Sequence, residues 1–476
     1  IEELIEEDIS HRGPYYAERG DFASAGTLDL HYQEAPGHHQ ITLGVGEDSF
    51  YHAVANGAVS WGDKTVIYGI ESIGQDTDPD LRNSSAANGS DNAIIKLQSG
   101  DRIKGYQLNF MAHQADWKSE SPKTIDPDSI DDIDADNLLD AIAREDSTRY
   151  SLSGSGWHGD SNHRWEYSGY AIDYDSQLDL EFIFIDSRRI RLNPQQRKDD
   201  RLVLGGTVAR DWFFTPWGHH QMGVEGRLDA LKDVGLSDVS TDGEDRNNGD
   251  ADLYTGALFY RNQYQWNSWL RHEFGLRFDY LHMDPDDDLE LDYSKNTDER
   301  WSPKLSLIAN PTDDLELFLQ AGRAMHSNDA RYSYRGINTR RSATNPPDKV
   351  RPLSSVDGLD LGFSARVLDN KGVLSASVWY REDEDELAAR NAQVELRPSE
   401  RTGFDFRFLY QPTERIYVDL AGTFSRARFS DNDPNGDHIP GSTEQIATLA
   451  FGYLGDRYYF NVDALYLGPS PFLEDN

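Results

Sequence analysis

The chain of 476 residues has no cysteine, and none of its apolar runs approaches the roughly eighteen residues a membrane-spanning helix needs. The missing cysteines are compatible with passage through an oxidising compartment. The missing apolar runs exclude a bundle of spanning helices. Cations are also scarce: 46 Lys and Arg against 84 Asp and Glu leave a formal charge of −38. That argues against nucleic-acid binding, because phosphate neutralisation needs clustered Lys and Arg. It suits a surface that stays soluble or attracts cations. No Gly-x-Ser-x-Gly elbow, His-Glu-x-x-His helix or phosphate loop occurs. No catalytic residue is assigned, and no enzyme is expected.

What the chain does have is a period of two. In residues 271–280, His272, Phe274, Leu276, Phe278 and Tyr280 fall on one side of a strand. Arg271, Glu273, Gly275, Arg277 and Asp279 fall on the other. Side chains alternate faces along a strand, so this is a ribbon with one apolar and one ionic face. The ionic face cannot line a dry core. Lipid on one side and a wet lumen on the other satisfy it, which predicts a transmembrane antiparallel β-barrel of the all-β class. In such a barrel only every second residue meets lipid, so low overall hydropathy is expected.

The connections support the same reading. Residues 311–314, 369–372, 412–415 and 455–457 are short turns, whereas long polar stretches lie near 76–91, 116–146, 186–199, 229–252, 284–298, 329–353 and 430–441. Short and long connections alternate, as they do between the two ends of an outer-membrane barrel. Trp212, Phe213 and Trp217, Trp266 and Trp269, and Tyr453, Tyr458 and Tyr459 gather beside short turns. Amphipathic rings there suit a lipid–water interface. The spacing gives roughly 19 strands between residues 40 and 470. The first 35 residues or so differ, with a short amphipathic piece and then a glycine-rich stretch expected to form turns and close approaches.

Residues Arg12-Gly13-Pro14-Tyr15, then Gly20-Asp21-Phe22-Ala23-Ser24-Ala25-Gly26, resemble the last plug segment of TonB-dependent outer-membrane receptors. Trp301-Ser302-Pro303-Lys304-Leu305, His326 to Arg331, Arg397 to Gly403, Asp437 to Gly441 and Leu467-Gly468-Pro469 resemble the barrel of the same family. The resemblance implies a C-terminal remnant of the plug over residues 1–36. The barrel would follow over 37–476, lacking about three of some 22 strands. The absence of a basic-then-apolar leader at Ile1-Glu2-Glu3-Leu4 and the loop-like ending Glu474-Asp475-Asn476 read as a fragment cut at both ends. Its sheet is expected to be partly open, with unpaired edges.

The resemblance further implies energised uptake of a scarce ligand, such as an iron chelate or corrinoid, into the periplasm of a Gram-negative cell. The alternative is a passive porin-like channel. Implied partners are outer-membrane lipid, a small-molecule ligand and a TonB-type coupling protein reached through an N-terminal segment outside this chain. A monomer is expected. Gly13, Pro14, Tyr15, Gly20, Asp21, Phe22 and Gly26 are the expected plug-segment residues, with Glu18 and Asp21 expected to meet lumen arginines. His326, Asn328, Asp329 and Arg331 are the candidate ligand contacts, in extracellular loops, with bracing of a loop as the other role for His326. No cofactor is expected. Asp431, Asp433, Asn435 and Asp437 copy the opening of a calcium loop, so a structural Ca2+ is a candidate there. Ser442 stands where that loop needs its bidentate glutamate, with Glu444 two residues late. The adjacent pairs His38-His39 and His219-His220 point to opposite strand faces and cannot chelate one ion alone.

Overall fold

Alternating patterns of this kind leave little for a helix to bury, and the structure is almost entirely strand. This computed structural model describes residues 1–33, 37–77, 86–101, 103–121, 141–186, 189–215, 218–238, 249–286, 296–328, 351–390, 393–431 and 436–471. After a 3-10 turn at Glu2–Leu4, β1 (Ile5–Arg12) pairs antiparallel with β2 (Gly26–Tyr32) as a separate two-stranded sheet. Then come β3 (Gln40–Val45), β4 (Tyr51–Trp61), β5 (Lys64–Thr77), β6 (Ala86–Gly100), β7 (Lys104–Ser121), β8 (Ala141–Gly159) and β9 (His163–Asp186). The wall continues with β10 (Arg189–Thr215), β11 (Gly218–Asp238), β12 (Gly249–Gln265), β13 (Leu270–Asp286), β14 (Asn296–Thr312) and β15 (Leu315–Ser327). The last are β16 (Leu353–Val367), β17 (Gly372–Arg390), β18 (Gln393–Thr413), β19 (Ile416–Phe429), β20 (Gln445–Leu454) and β21 (Tyr459–Leu467).

β3 to β21 form one closed barrel of nineteen strands, each paired antiparallel with its chain neighbours. The strand order closes into a ring, while β21 and β3 keep the exposed edges expected from the strand count. The closure is in strand order only. Among the described residues no residue register joins β21 to β3, every residue of β21 is exposed, and Ile41, Leu43 and Val45 of β3 are 76%, 78% and 89% exposed. An odd count makes these two strands run the same way where they meet, so the antiparallel ladder cannot continue across.

The barrel is inside-out relative to a soluble core. On β13, Arg277 and Asp279 are 2% and 4% exposed, while Phe274 and Tyr280 are 39% and 42% exposed. On β14, Ser302, Lys304 and Ser306 are buried, and Trp301 and Leu305 are exposed. Polar groups therefore face the lumen and apolar groups face out, as the period-two reading requires.

At one end the connections are tight, and several use one device. Asp101 Oδ1 accepts from the backbone N–H of Ile103 and Lys104 at 2.7 and 3.0 Å. Asp160 does the same for Asn162 and His163, and Asn267 for Trp269 and Leu270. Such side-chain bonds mimic a backbone turn and set the hairpin. Trp61, Trp266, Trp269, Tyr458 and Tyr459 stand exposed at this turn end; Trp217 lies outside the described residues.

One sequence expectation needs correction, and one region adds an element that the sequence did not announce. The described residues of 186–199 are strand and not loop: β9 and β10 stay paired up to Asp186 and Arg189, and β10 and β11 up to Gln195 and Asp238. The hydrogen-bonded ladder outlasts the apolar pattern, because backbone pairing does not need a lipid-facing side chain. The N-terminal region also contains regular structure. Its rungs run from Ile5↔Tyr32 to Arg12↔Gly26 and need close approach at Gly26, where φ is 145° and an added Cβ would lie 2.5 Å from the His11 carbonyl oxygen.

Candidate functional site: a segment threaded through the lumen

Residues 13–25 connect β1 to β2 and lie against the polar inner wall. Pro14 is seated by three features of that wall. Its carbonyl accepts from Lys304 Nζ at 3.0 Å. A Cβ built on Gly322 would be 2.4 Å from that same oxygen, and one on Gly358 would be 2.6 Å from Pro14 Cγ. The wall glycines thus form a trough that any larger residue would fill. Gly275 extends it, since its Cβ would meet Ala17 Cβ at 2.8 Å.

Tyr15 is 2% exposed, and its hydroxyl donates to Asp360 Oδ2 at 3.4 Å. Arg381 holds the same carboxylate at 3.2 Å and stacks 5.2 Å over the Tyr15 ring. Burial pushes the Tyr15 phenol above its ordinary range. Glu18 pairs with Arg261 at 3.0 Å. Arg12 reaches Asp405 at 3.2 Å, while Arg19 pairs with Asp29 and so ties the segment to β2. Gly20 lies against Arg277, whose Nη2 would sit 2.6 Å from an added Cβ.

Asp21 differs from the expected arginine partner. Its two oxygens accept from the Ser327 backbone N–H and hydroxyl, at 2.6 and 2.5 Å. Arg227 is near enough to favour the charged form, but desolvation is the larger effect and raises the carboxyl above the ordinary aspartate value. Phe22 adopts φ 62°, uncommon for a bulky residue, and its ring stacks 5.8 Å from His326.

Ser327 and His326 stand where the wall itself bends. β15 pairs with β14 only up to Gly322↔Lys304. Beyond that point the tops of β15 and β16 lean across the inner face of β14. Leu353 N–H donates to Asp298 at 3.3 Å, and Arg300 Nη2 donates to the Leu353 carbonyl at 2.7 Å. Met325 and Leu353 then pack with Leu231, Ala251, Leu281 and Met283 in an apolar cluster inside the lumen. Below it lies a cavity of about 170 Å³ lined by Asp21, Arg227, Asp229, Arg277, Asp279 and Ser327, among others.

His326 Nε2 lies 3.4 Å from Asp383 Oδ2. Asn328 is 4% exposed; its backbone N–H donates to the Pro352 carbonyl and its side chain to the Arg351 carbonyl, both at 2.8 Å. These contacts brace the stem of the 328–352 connection. Asp329 and Arg331 lie outside the described residues.

The candidate calcium loop is half visible. Asp431 receives both guanidinium arms of Arg397, at 2.7 and 2.8 Å, and Asp437 lies 3.7 Å from Arg428. Carboxylates matched to arginines in this way are charge-neutralised, which leaves little for a cation to gain. Asp433 and Asn435 lie outside the described residues. Of the histidine pairs, His219 bonds Asp211 at 2.6 Å and His220 bonds Tyr260 at 2.7 Å, on opposite faces.

Lys304, Asp360, Arg381, Arg261 and Ser327 carry the seating of the segment; Lys304 and Ser327 lie inside the family-like motifs without having been given this role, and the other three were not singled out. The signal available was only that they occupy polar positions of alternating strands.

A family model described as "TonB dependent receptor-like, beta-barrel" matches residues 49–476. The chain belongs to the TonB-dependent receptors. Solved receptors share its fold. The ferric-catecholate import receptor Fiu from K12 E. coli, in its closed form, superposes with TM-score 0.73 at 12% identity over 96% of this chain and 75% of its own. The copper transporter OprC gives TM-score 0.74 at 16% identity, over 96% of this chain and 71% of its own. The ferripyoverdine receptor of Pseudomonas aeruginosa, bound to ferripyoverdine, gives TM-score 0.79 at 9% identity, over 98% of this chain and 66% of its own. No curated protein matches the chain. At these identities the likeness is one of fold.

Proposed function

We propose that this TonB-dependent receptor chain supplies the wall and the last plug segment of an outer-membrane transporter for energised uptake of a scarce ligand, with the tight-turn end facing the periplasm. The observation that carries the reading is the threading of residues 13–25 through a polar lumen, held by side chains of β12, β14, β15, β16 and β17. A permanent open channel has no use for such a fitted occupant, whereas a transporter needs its wide lumen filled until ligand arrives. The neighbours bind ferric chelates and copper. A metal-bearing small ligand is therefore the class to test first, with His326 and the braced 328–352 stem at the mouth that receives it.

The test is growth of the source cell, with and without the gene, on sole iron, copper, cobalamin and glycan sources. Energised uptake predicts a defect on one source that is restored by the complete gene and not by a version lacking its coupling segment. Restoration by both versions would replace this reading with passive permeation.

A further inference from the structure

The chain carries a formal charge of −38, yet one strip of its outer face runs the other way. Registers place Lys104 of β7 opposite His158 of β8, His158 opposite Trp165 of β9, and Trp165 opposite Arg210 of β10. All four occupy the outward parity, in line with exposed Leu108, Leu152, Tyr167 and Val208, and all lie near the tight turns.

The three outward positions nearest the turns on each of β7 to β13 hold no carboxylate. The nearest acids, Asp101 and Asp160, sit in the turns and accept backbone N–H bonds. At the far end of the same strands the outward positions carry Asp116, Asp146, Asp175, Asp179 and Asp200. Lys118, Arg144, Lys198 and Lys232 share the outward parity at the loop end, each beside one of these carboxylates, whereas the cations at the turn end have no carboxylate beside them on the outer face.

Arg210 is the built element of the strip. Its guanidinium carbon lies 5.0 Å from the ring centre of Trp165 and 5.1 Å from that of Trp212. Its Nε has no hydrogen-bond partner, and among the described residues it makes no ion pair. A cation held between two aromatic rings at the edge of an apolar band sits at headgroup depth, where phosphate is the abundant acceptor.

We infer that Arg210, with Lys104 and His158, forms a binding site for the phosphate of an anionic phospholipid in the leaflet at the turn end. The inference rests on the barrel lying in a bilayer and is independent of which ligand the lumen takes.

Native mass spectrometry of the detergent-solubilised chain, supplied with phosphatidylglycerol or phosphatidylcholine, tests it. The wild type should retain phosphatidylglycerol about fivefold more than phosphatidylcholine, roughly the effect of one cation near an anionic surface. Arg210→Gln should bring the two lipids level. Lys104→Gln, at an exposed position, should reduce the preference in part. Arg144→Gln, exposed at the loop end, should leave it unchanged. Equal retention of both lipids by the wild type, or an unchanged preference in the Arg210 and Lys104 variants, overturns the site. Heat-modifiable migration in gels confirms that each variant is folded. A failure here leaves the growth assay for uptake untouched.

Discussion

The carbonyl oxygen of Pro14 lies 2.4 Å from where a Cβ on Gly322 would stand, although the two residues belong to the threaded segment and the barrel wall. Backbone cannot swing aside as a side-chain tip can. Gly322→Ala should lift Pro14 from its trough and lose the Lys304 bond with it. The expected cost is about 1–3 kcal/mol, the usual penalty for overpacking. Denaturant unfolding of the refolded barrel measures it, and limited proteolysis near Arg19 should accelerate in the same variant. Unchanged proteolysis would show that the seat tolerates a methyl group.

Arg277 and Asp279 form a buried pair at 2.7 Å, with side chains 3% and 5% exposed, and Glu225 completes the arginine's partners at 3.1 Å. Arg277→Ala strands two carboxylates and should destabilise the barrel by about 3–5 kcal/mol. Arg277→Met combined with Asp279→Leu should cost less than Arg277→Ala alone, because the deeply buried carboxylate goes with its partner and only the 30% exposed Glu225 is left to water. Unfolding midpoints of the single and double variants decide between these outcomes.

Asp21 gives the segment a pH dependence of definite sign. Its carboxyl is raised in the docked state, so docking binds a proton. The stabilisation is fully present below the ordinary aspartate value of about 3.9 and fades as pH rises through the raised value. Asp21→Asn should remove that dependence. A nitroxide at Ala25, exposed and unique once cysteine is introduced into a cysteine-free chain, reports docking by its mobility across pH. Greater mobility at acid pH in the wild type would reverse the assignment.

The turn aspartates carry the opposite sign. Backbone N–H bonds from Lys104 and Ile103 hold Asp101 below the ordinary value, and those from Asn162 and His163 do the same for Asp160. Their contribution is present above about pH 3.9 and lost as pH falls through the lowered values. Asp101→Asn should keep part of the turn, since an amide oxygen also accepts, while removing the acid sensitivity of the 101–103 turn. Amide exchange of Lys104 at pH 3 and pH 6 would show it.

Period two made the wall legible, because one side of each strand must be wet and the other greasy. The ionic face read at Arg277 and Asp279 is the buried lumen face, and Phe274 and Tyr280 face outward. Three features were out of reach. The pairing of Ile5–Arg12 with Gly26–Tyr32 depends on a glycine whose role shows only when His11 approaches it. The extension of β9 and β10 past residue 186 rests on backbone bonds, which leave no mark on side-chain pattern. The partner of Asp21 is a serine more than three hundred residues away, brought near by the inward lean of β15 and β16, and nothing local encodes that lean.

The two-stranded sheet has a mechanical consequence. Its rungs begin at Ile5↔Tyr32 and end at Arg12↔Gly26, so the N-terminal end of β1 and the end of β2 that leads into the wall lie at the same edge of the ladder. A tension applied at the N-terminal end and resisted by β3 must first free Leu4, which packs on Ile67 and Ile94 of the wall and accepts from the Gln33 N–H, and then loads the rungs one at a time. The sheet peels one rung at a time, each worth only about 1 kcal/mol net. Shear, which would load all rungs together, does not arise. Under a pull this ladder yields early and in order, and the load reaches the glycine trough around Pro14 only after the last rung has parted.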